Sequence, residues 1–258
     1  MDFDLRDKRV FVTAGASGIG RAIAVAFAEA GARVHVCDID RSALDALAGQ
    51  SAGITFDVCD VSDRAAVERT MTSALAQLGG LDVLVNNAGI GGATAPLEEL
   101  DPQKWQQVLD INLTGTFNVT RLAIPHLRHS SSGVIINMSS LAGRVGYPNR
   151  SAYATSKWGL IGLTKTLSIE LGDAGIRVNA ILPGAVNGPR YQAVLEGRAK
   201  QSGRSVAEEA AYAMRNVSIK KLVEPEQIAA LAMFLASDAA STISGQIFPI
   251  DGDTQSSA

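Results

Sequence analysis

The sequence predicts an α/β fold: a single domain built on a doubly wound, parallel, seven-stranded sheet with helices on both faces. Three observations carry that expectation. Short apolar runs alternate with helical patterns along the 258 residues, which implies a parallel sheet covered on both sides. A glycine-rich turn, Ala14-Gly15-Ala16-Ser17-Gly18-Ile19-Gly20, joins the first strand to the first helix. Asp38 ends the second strand about 20 residues later, so strand, turn, helix and strand fit in one βαβ unit.

The first strand is the apolar run Val10-Phe11-Val12-Thr13. A helical pattern runs from Arg21 to Ala30, with Gly31 as its stop. Strands are expected at 33–38, 54–56, 82–85, 134–138, 177–182 and 246–250, each a short run rich in β-branched or aliphatic residues. Between them, helices are expected at 41–48, 64–78, 102–128, 151–171 and 225–236, the 102–128 helix with a break near Pro125. Residues 187–217 are polar and interrupted by Gly188, Pro189, Gly197 and Gly203, which reads as a mobile insertion. No repeat, linker or low-complexity tract intervenes, so residues 1–258 read as one domain.

Composition excludes several classes of function. Apolar residues make up 47% and charged residues 19%, an ordinary globular balance. The net charge of −3 gives no sign of a nucleic-acid or anionic-membrane surface. No apolar run reaches the 18 residues of a membrane span, and the charged N-terminal stretch lacks an apolar signal core. A cytoplasmic protein without nucleic-acid or membrane partners is expected. Cys37 and Cys59 have neither CxxC nor metal-ligand spacing and read as reduced packing thiols. The three histidines do not cluster, and no metal is assigned.

Two features carry chemistry. Glycines at a strand-to-helix turn let the backbone turn tightly and approach a phosphate, and the helix start offers N–H donors and a positive dipole end. Gly15, Gly18 and Gly20 have G-x-x-G-x-G spacing, which a purely structural turn also permits. Asp38 at the strand end suits hydrogen bonds from ribose hydroxyls and repels a 2′-phosphate, favouring NAD over NADP; it also suits a helix cap. The second feature is Tyr153-Ala154-Thr155-Ser156-Lys157. Residues four apart share a helix face, about 6 Å apart along the axis. A lysine ammonium there favours the phenolate and prepares Tyr153 for proton transfer. Alone, the pair more often marks a solvated helix face.

Taken together, these stretches resemble a classical short-chain dehydrogenase/reductase, and the resemblance covers nearly the whole chain. Thr13 to Gly20 resembles the family's TGxxxGIG cofactor turn, in which Gly15, Ser17, Gly18, Ile19 and Gly20 bind the cofactor. Asp60-Val61 resembles its adenine-contacting pair, and Asn86-Asn87-Ala88-Gly89 its NNAG motif. Asn112 falls where the family has a proton-relay asparagine, and Ser140, thirteen residues before Tyr153, where it has its catalytic serine. Ser139 lies at the wrong distance. Tyr153 and Lys157 match YxxxK; Pro183-Gly184 and Val186 match the loop that contacts the nicotinamide end.

The resemblance implies a Rossmann-type fold, a nicotinamide cofactor and a homotetramer that pairs the helices at 102–128 and 151–171. It implies hydride exchange between a secondary alcohol and a ketone. Tyr153 is then the acid–base, Lys157 its activator and ribose ligand, Ser140 the holder of the substrate oxygen and Asn112 the relay. Two residues depart from the pattern. Ala14 replaces the usual first glycine; a negative φ and intact cofactor binding are expected there. Gly188 replaces a usual threonine, with Asn187 or backbone N–H groups as substitutes.

For the small-molecule substrate, Arg144, Arg150 and Arg190 are candidates to hold the carboxylate of a sugar-derived hydroxy or keto acid. All three equally fit surface or interface arginines, and Tyr147, Asn149 and Tyr191 suit a polyol or neutral sugar. The alternatives are a 3-oxoacyl-thioester reductase, disfavoured by Asp38, and a catalytically silent cofactor sensor, disfavoured by the intact Ser140/Tyr153/Lys157 set. An epimerase or dehydratase is disfavoured by the roughly 75 residues after Pro183, which leave little room for a larger substrate domain.

Overall fold

The structure, a computed structural model, describes residues 3–50 and 53–255, with the side chain of Gln50 excluded. Met1 and Asp2 of the charged N-terminal stretch lie outside the described residues. The strands are β1 (Arg9–Thr13), β2 (Arg33–Asp38), β3 (Ile54–Val58), β4 (Val83–Asn86), β5 (Val134–Met138), β6 (Arg177–Pro183) and β7 (Ile247–Ile250). All pair in parallel, in the order β3-β2-β1-β4-β5-β6-β7. Because β1 neighbours both β2 and β4, the winding reverses between β1 and β4. A crevice therefore opens at their carboxyl ends, where such sheets bind ligands.

Alternation along the strands builds two cores. Val10, Val12, Val34, Val36, Val83 and Val85 face one layer with α1 (Gly18–Glu29), α2 (Arg41–Gln50) and α9 (Pro225–Ala236). Phe11, Leu84, Ile135 and Val178 face the other, against α3 (Arg64–Leu78), α5 (Gly115–Leu127) and α6 (Ser151–Glu170). Both faces are buried, so the central strands read as continuous apolar runs. Cys37 and Cys59 are buried free thiols in the second core. No helix among the described residues is long and apolar enough to cross a membrane.

The structure corrects several expected boundaries. Helix α1 starts at Gly18, not Arg21, so the last glycines of the turn belong to its first turn. The 102–128 helix is divided, but not at Pro125. It runs as α4 (Pro102–Leu109), a π-helical turn over Asp110–Thr114, and α5, which carries Pro125 near its end. The wide turn is held by Asn112: its amide donates to the Ile90 carbonyl (2.9 Å) and the Ser156 hydroxyl (3.0 Å), and its Oδ1 accepts from the Ile90 N–H (2.7 Å). Such turns usually mark functional positions. Residues 187–217 contain two regular helices, α7 (Pro189–Ser202) and α8 (Val206–Met214). Gly203 at φ +74° ends the first, and a Ser205/Glu208 capping box starts the second.

Candidate active site

The crevice at the carboxyl ends of β1 and β4 is built by close backbone packing. The amides of Asn87 and Ala88 both donate to the Thr13 hydroxyl (3.0 Å each), and the Asn87 side chain donates to the carbonyls of Thr13 (3.1 Å) and Ala14 (3.0 Å). A β-carbon on Gly20 would overlap the Ala14 carbonyl and the Asn87 amide, and one on Gly15 would stand 2.7 Å from the Val36 Cβ. Gly18, at φ +52°, faces open space. Ala14 adopts φ +50°, against the expected negative value. The turn's path, set by its hydrogen bonds to Asn87, holds an L-residue in the left-handed region.

Ser17 is the N-cap of α1, yet its side chain makes no capping hydrogen bond. The first-turn N–H groups thus remain available to an anion, as a pyrophosphate requires. At the far end of the crevice, the Asp38 carboxylate accepts from the Ala16 N–H (3.1 Å) and the Asp40 N–H (3.2 Å). Asp60 is exposed and accepts from the Ser62 N–H and hydroxyl, while Val61 is buried against Gly115.

The proton-handling residues converge beyond Gly89. Lys157 is buried, and its Nζ donates to the Met138 carbonyl (2.8 Å). Burial, reinforced by the Arg190 cation, pushes its ammonium down to about 7. Its Nζ lies 5.7 Å from the Tyr153 ring centre. A β-carbon on Gly89 would sit 3.1 Å from Asn112 Oδ1, a tight contact, and 3.4 Å from Lys157 Nζ, so the glycine lets the backbone approach these two groups closely.

The two adjacent serines have different roles. Ser139 spends its hydroxyl hydrogen inside the fold, donating to the Lys157 carbonyl (2.9 Å). Ser140 accepts from the Ala142 N–H (3.2 Å), which leaves its own hydroxyl hydrogen for a ligand oxygen.

These residues line one cavity of about 440 Å³, which reaches from Ser17, Gly18 and Asn87 past Ser140, Tyr153 and Lys157 to Arg150, Arg190 and Arg198. Pro183, Gly184, Val186, Asn187 and Gly188 form its floor at the end of β6. Gly188, at φ +142°, is the open-sided residue before α7, a conformation close to glycine-only. The Asn187 amide is held by the Glu224 carboxylate at 3.1 Å.

Of the three arginines singled out in the sequence, two face the cavity. The Arg150 guanidinium lies 5.4 Å from the Tyr153 ring centre, and Arg190 donates to the Gly89 carbonyl. Arg144 points elsewhere, donating to the Thr254 carbonyl at 3.3 Å. Arg198 was the missed residue. Its guanidinium lies 5.2 Å from the Tyr147 ring centre. The signal was present, because Tyr191, Val194 and Arg198 follow the i, i+3, i+7 spacing of one helix face. Among the described residues no cluster of metal-ligating side chains exists.

Residues 13–253 match the family described as enoyl-(acyl carrier protein) reductase. The chain is 36% identical to the 3-oxoacyl-(acyl-carrier-protein) reductase of Thermotoga maritima, over 96% of this chain and 98% of that one. It is 38% identical to the D-beta-hydroxybutyrate dehydrogenase of Cupriavidus necator, again over 96% of this chain and 98% of the relative. The crystal structure of NAD+-bound xylitol dehydrogenase superposes with a TM-score of 0.92 at 32% identity, covering 96% of this chain and 99% of that one. The chain belongs to the classical short-chain dehydrogenase/reductase family, oxidoreductases of CH–OH groups.

Proposed function

We propose that the protein is an NAD-dependent dehydrogenase that interconverts a secondary alcohol and a ketone on a small polar substrate. The observation that carries this reading is the convergence of Tyr153, buried Lys157 and the Ser140 hydroxyl on one cavity continuous with the glycine turn. The residues fit a dinucleotide: the uncapped start of α1 for the pyrophosphate, Asp38 for the adenosine ribose, and Lys157 for the nicotinamide ribose. When bound, the cofactor supplies or takes up the hydride.

The protein's own residues handle the proton and the oxygen. Ser140 donates to the substrate oxygen and holds it beside Tyr153. Tyr153 takes the hydroxyl proton in oxidation and returns it in reduction. Lys157, when protonated, places a cation 5.7 Å from the Tyr153 ring centre. The Asn112 amide donates to Ile90 and Ser156 and its Oδ1 accepts from the Ile90 N–H, while its backbone carbonyl accepts from the Thr116 hydroxyl (3.0 Å), so its contribution to a relay is the shape of the π-helical turn. Helices α7 and α8 form a wall that excludes water when it closes.

NAD preference rests on Asp38, whose carboxylate repels a 2′-phosphate at the end of β2. The names of relatives support both a hydroxy acid and a polyol as substrate class. A 3-oxoacyl-thioester reductase is the second reading, favoured by the Thermotoga relative. Absorbance at 340 nm with NAD or NADP, against sugars, polyols, hydroxy acids and acyl thioesters, separates these readings. Higher kcat/KM with NADP than with NAD would overturn the cofactor preference. We further propose a homotetramer, supported by half-exposed Phe117 on α5 and Trp158 on α6; light scattering on a sizing column tests it.

A further inference from the structure

We infer that the cavity selects a substrate bearing a carboxylate, held between Arg150 on the wall beside Tyr153 and Arg198 on α7. This rests on the reading of Tyr153 as the proton-exchanging group, and it names the substrate class. The cavity is lined by four cationic side chains, Arg150, Arg190, Arg198 and Lys157, and by no aspartate or glutamate. That bias runs against the chain's net charge of −3.

Arg150 is only 5% exposed, and neither it nor Arg198 forms an ion pair with a described residue. The Arg150 guanidinium donates to the Gly91 carbonyl (2.8 Å) and lies over the Tyr153 ring, and its buried Nε has no hydrogen-bond partner. A buried guanidinium without a counter-anion is costly, and a ligand carboxylate relieves that cost through fork-like hydrogen bonds. The buried Tyr191 hydroxyl, also without a partner, lines the same cavity. Tyr147 spaces the two arginines: its ring is 6.5 Å from that of Tyr153 and 5.2 Å from the Arg198 guanidinium.

The short span narrows the class further. The Arg150 guanidinium, 5.4 Å from the Tyr153 ring centre, is within reach of the carboxylate of an acid of a few carbons whose hydroxyl sits at Ser140 and Tyr153.

The test uses the full chain with two readouts. Turnover with NAD is compared between lactate, 3-hydroxybutyrate and gluconate and the neutral methyl esters or parent alcohol sugars. Binding of malonate, succinate, glutarate and inorganic phosphate to the NADH complex is followed by NADH fluorescence. Acids should exceed their neutral counterparts in kcat/KM. Arg198→Ala should raise KM for the acid and Kd for the best dicarboxylate about 10- to 100-fold, the loss of charge-assisted hydrogen bonds, with the NADH Kd within two-fold. Arg198→Lys should recover part of the loss.

Arg150→Lys is the second variant, because Arg150→Ala in a buried site endangers folding; it should raise KM for the acids by a larger factor than KM for their esters. Equal or better turnover of the neutral compounds, equal effects of Arg198→Ala on acids and esters, or tighter binding of phosphate than of any dicarboxylate would overturn the inference. Arg198-dependent dicarboxylate binding without turnover of any alcohol would uphold the subsite and refute the reaction.

Discussion

Replacing Ala14 with glycine should stabilise the protein. Ala14 holds φ +50° at the turn after β1, where an L-residue pays roughly 1–2 kcal/mol relative to a residue without a β-carbon. Glycine gives back about 0.4–1 kcal/mol through its freer unfolded chain. From the midpoints of these ranges, the net gain is about 0.8 kcal/mol. No side-chain hydrogen bond is lost, since the Ala14 contact to Asn87 is made by its backbone carbonyl. For a chain of this size the gain corresponds to a rise of about 1–4 °C in Tm. Urea unfolding followed by circular dichroism, at fixed protein concentration, should show a higher midpoint at unchanged slope. A lower midpoint for Ala14→Gly would refute the reasoning, because it would mean that the methyl packs favourably or that the turn is not strained.

Three more predictions follow from the same geometry. Gly20→Ala drives a methyl into the Ala14 carbonyl and the Asn87 amide, so it should weaken NADH binding at least about ten-fold by fluorescence titration. Asp38→Asn removes the charge facing a 2′-phosphate and should raise the NADP to NAD ratio of kcat/KM by about ten-fold or more, provided NAD preference holds in the parent. Asp82 gives a pH signature: burial raises its carboxyl, but hydrogen bonds from Arg9 and Ser130 outweigh this and hold it at about 2. Its folded value lies below the unfolded one, so its stabilisation is complete above about pH 4 and lost as pH falls towards 2. Asp82→Asn should therefore lower the denaturation midpoint at pH 7, with the gap to wild type closing over that acid range.

The central strands were legible because they are buried on both faces, which leaves a largely apolar run such as Val134 to Met138, whereas the edge strands β3 and β7 are only partly buried. Helix ends were less legible. Glycines at Gly18 and Gly20 read as loop, yet their N–H groups begin α1. Proline at Pro125 suggested a break, but α5 runs through it to Leu127, and the division comes at Asn112. That division depends on a side chain reaching Ile90 and Ser156, a tertiary cause invisible to local pattern. The cavity showed the same split. Tyr153 and Lys157 follow from helical spacing, whereas the facing of Arg198 inward and Arg144 towards Thr254 depends on how α7 and the C-terminal segment pack.

The most direct test of the central claim is Tyr153→Phe. The substitution keeps the ring beside Lys157 and Arg150 and removes only the hydroxyl that exchanges the proton. With the substrate found in the 340 nm panel, kcat should fall by at least about 10²-fold, while the NADH Kd stays within two-fold. Near-normal turnover in a variant that binds NADH normally would contradict the assignment of Tyr153 as the acid–base group.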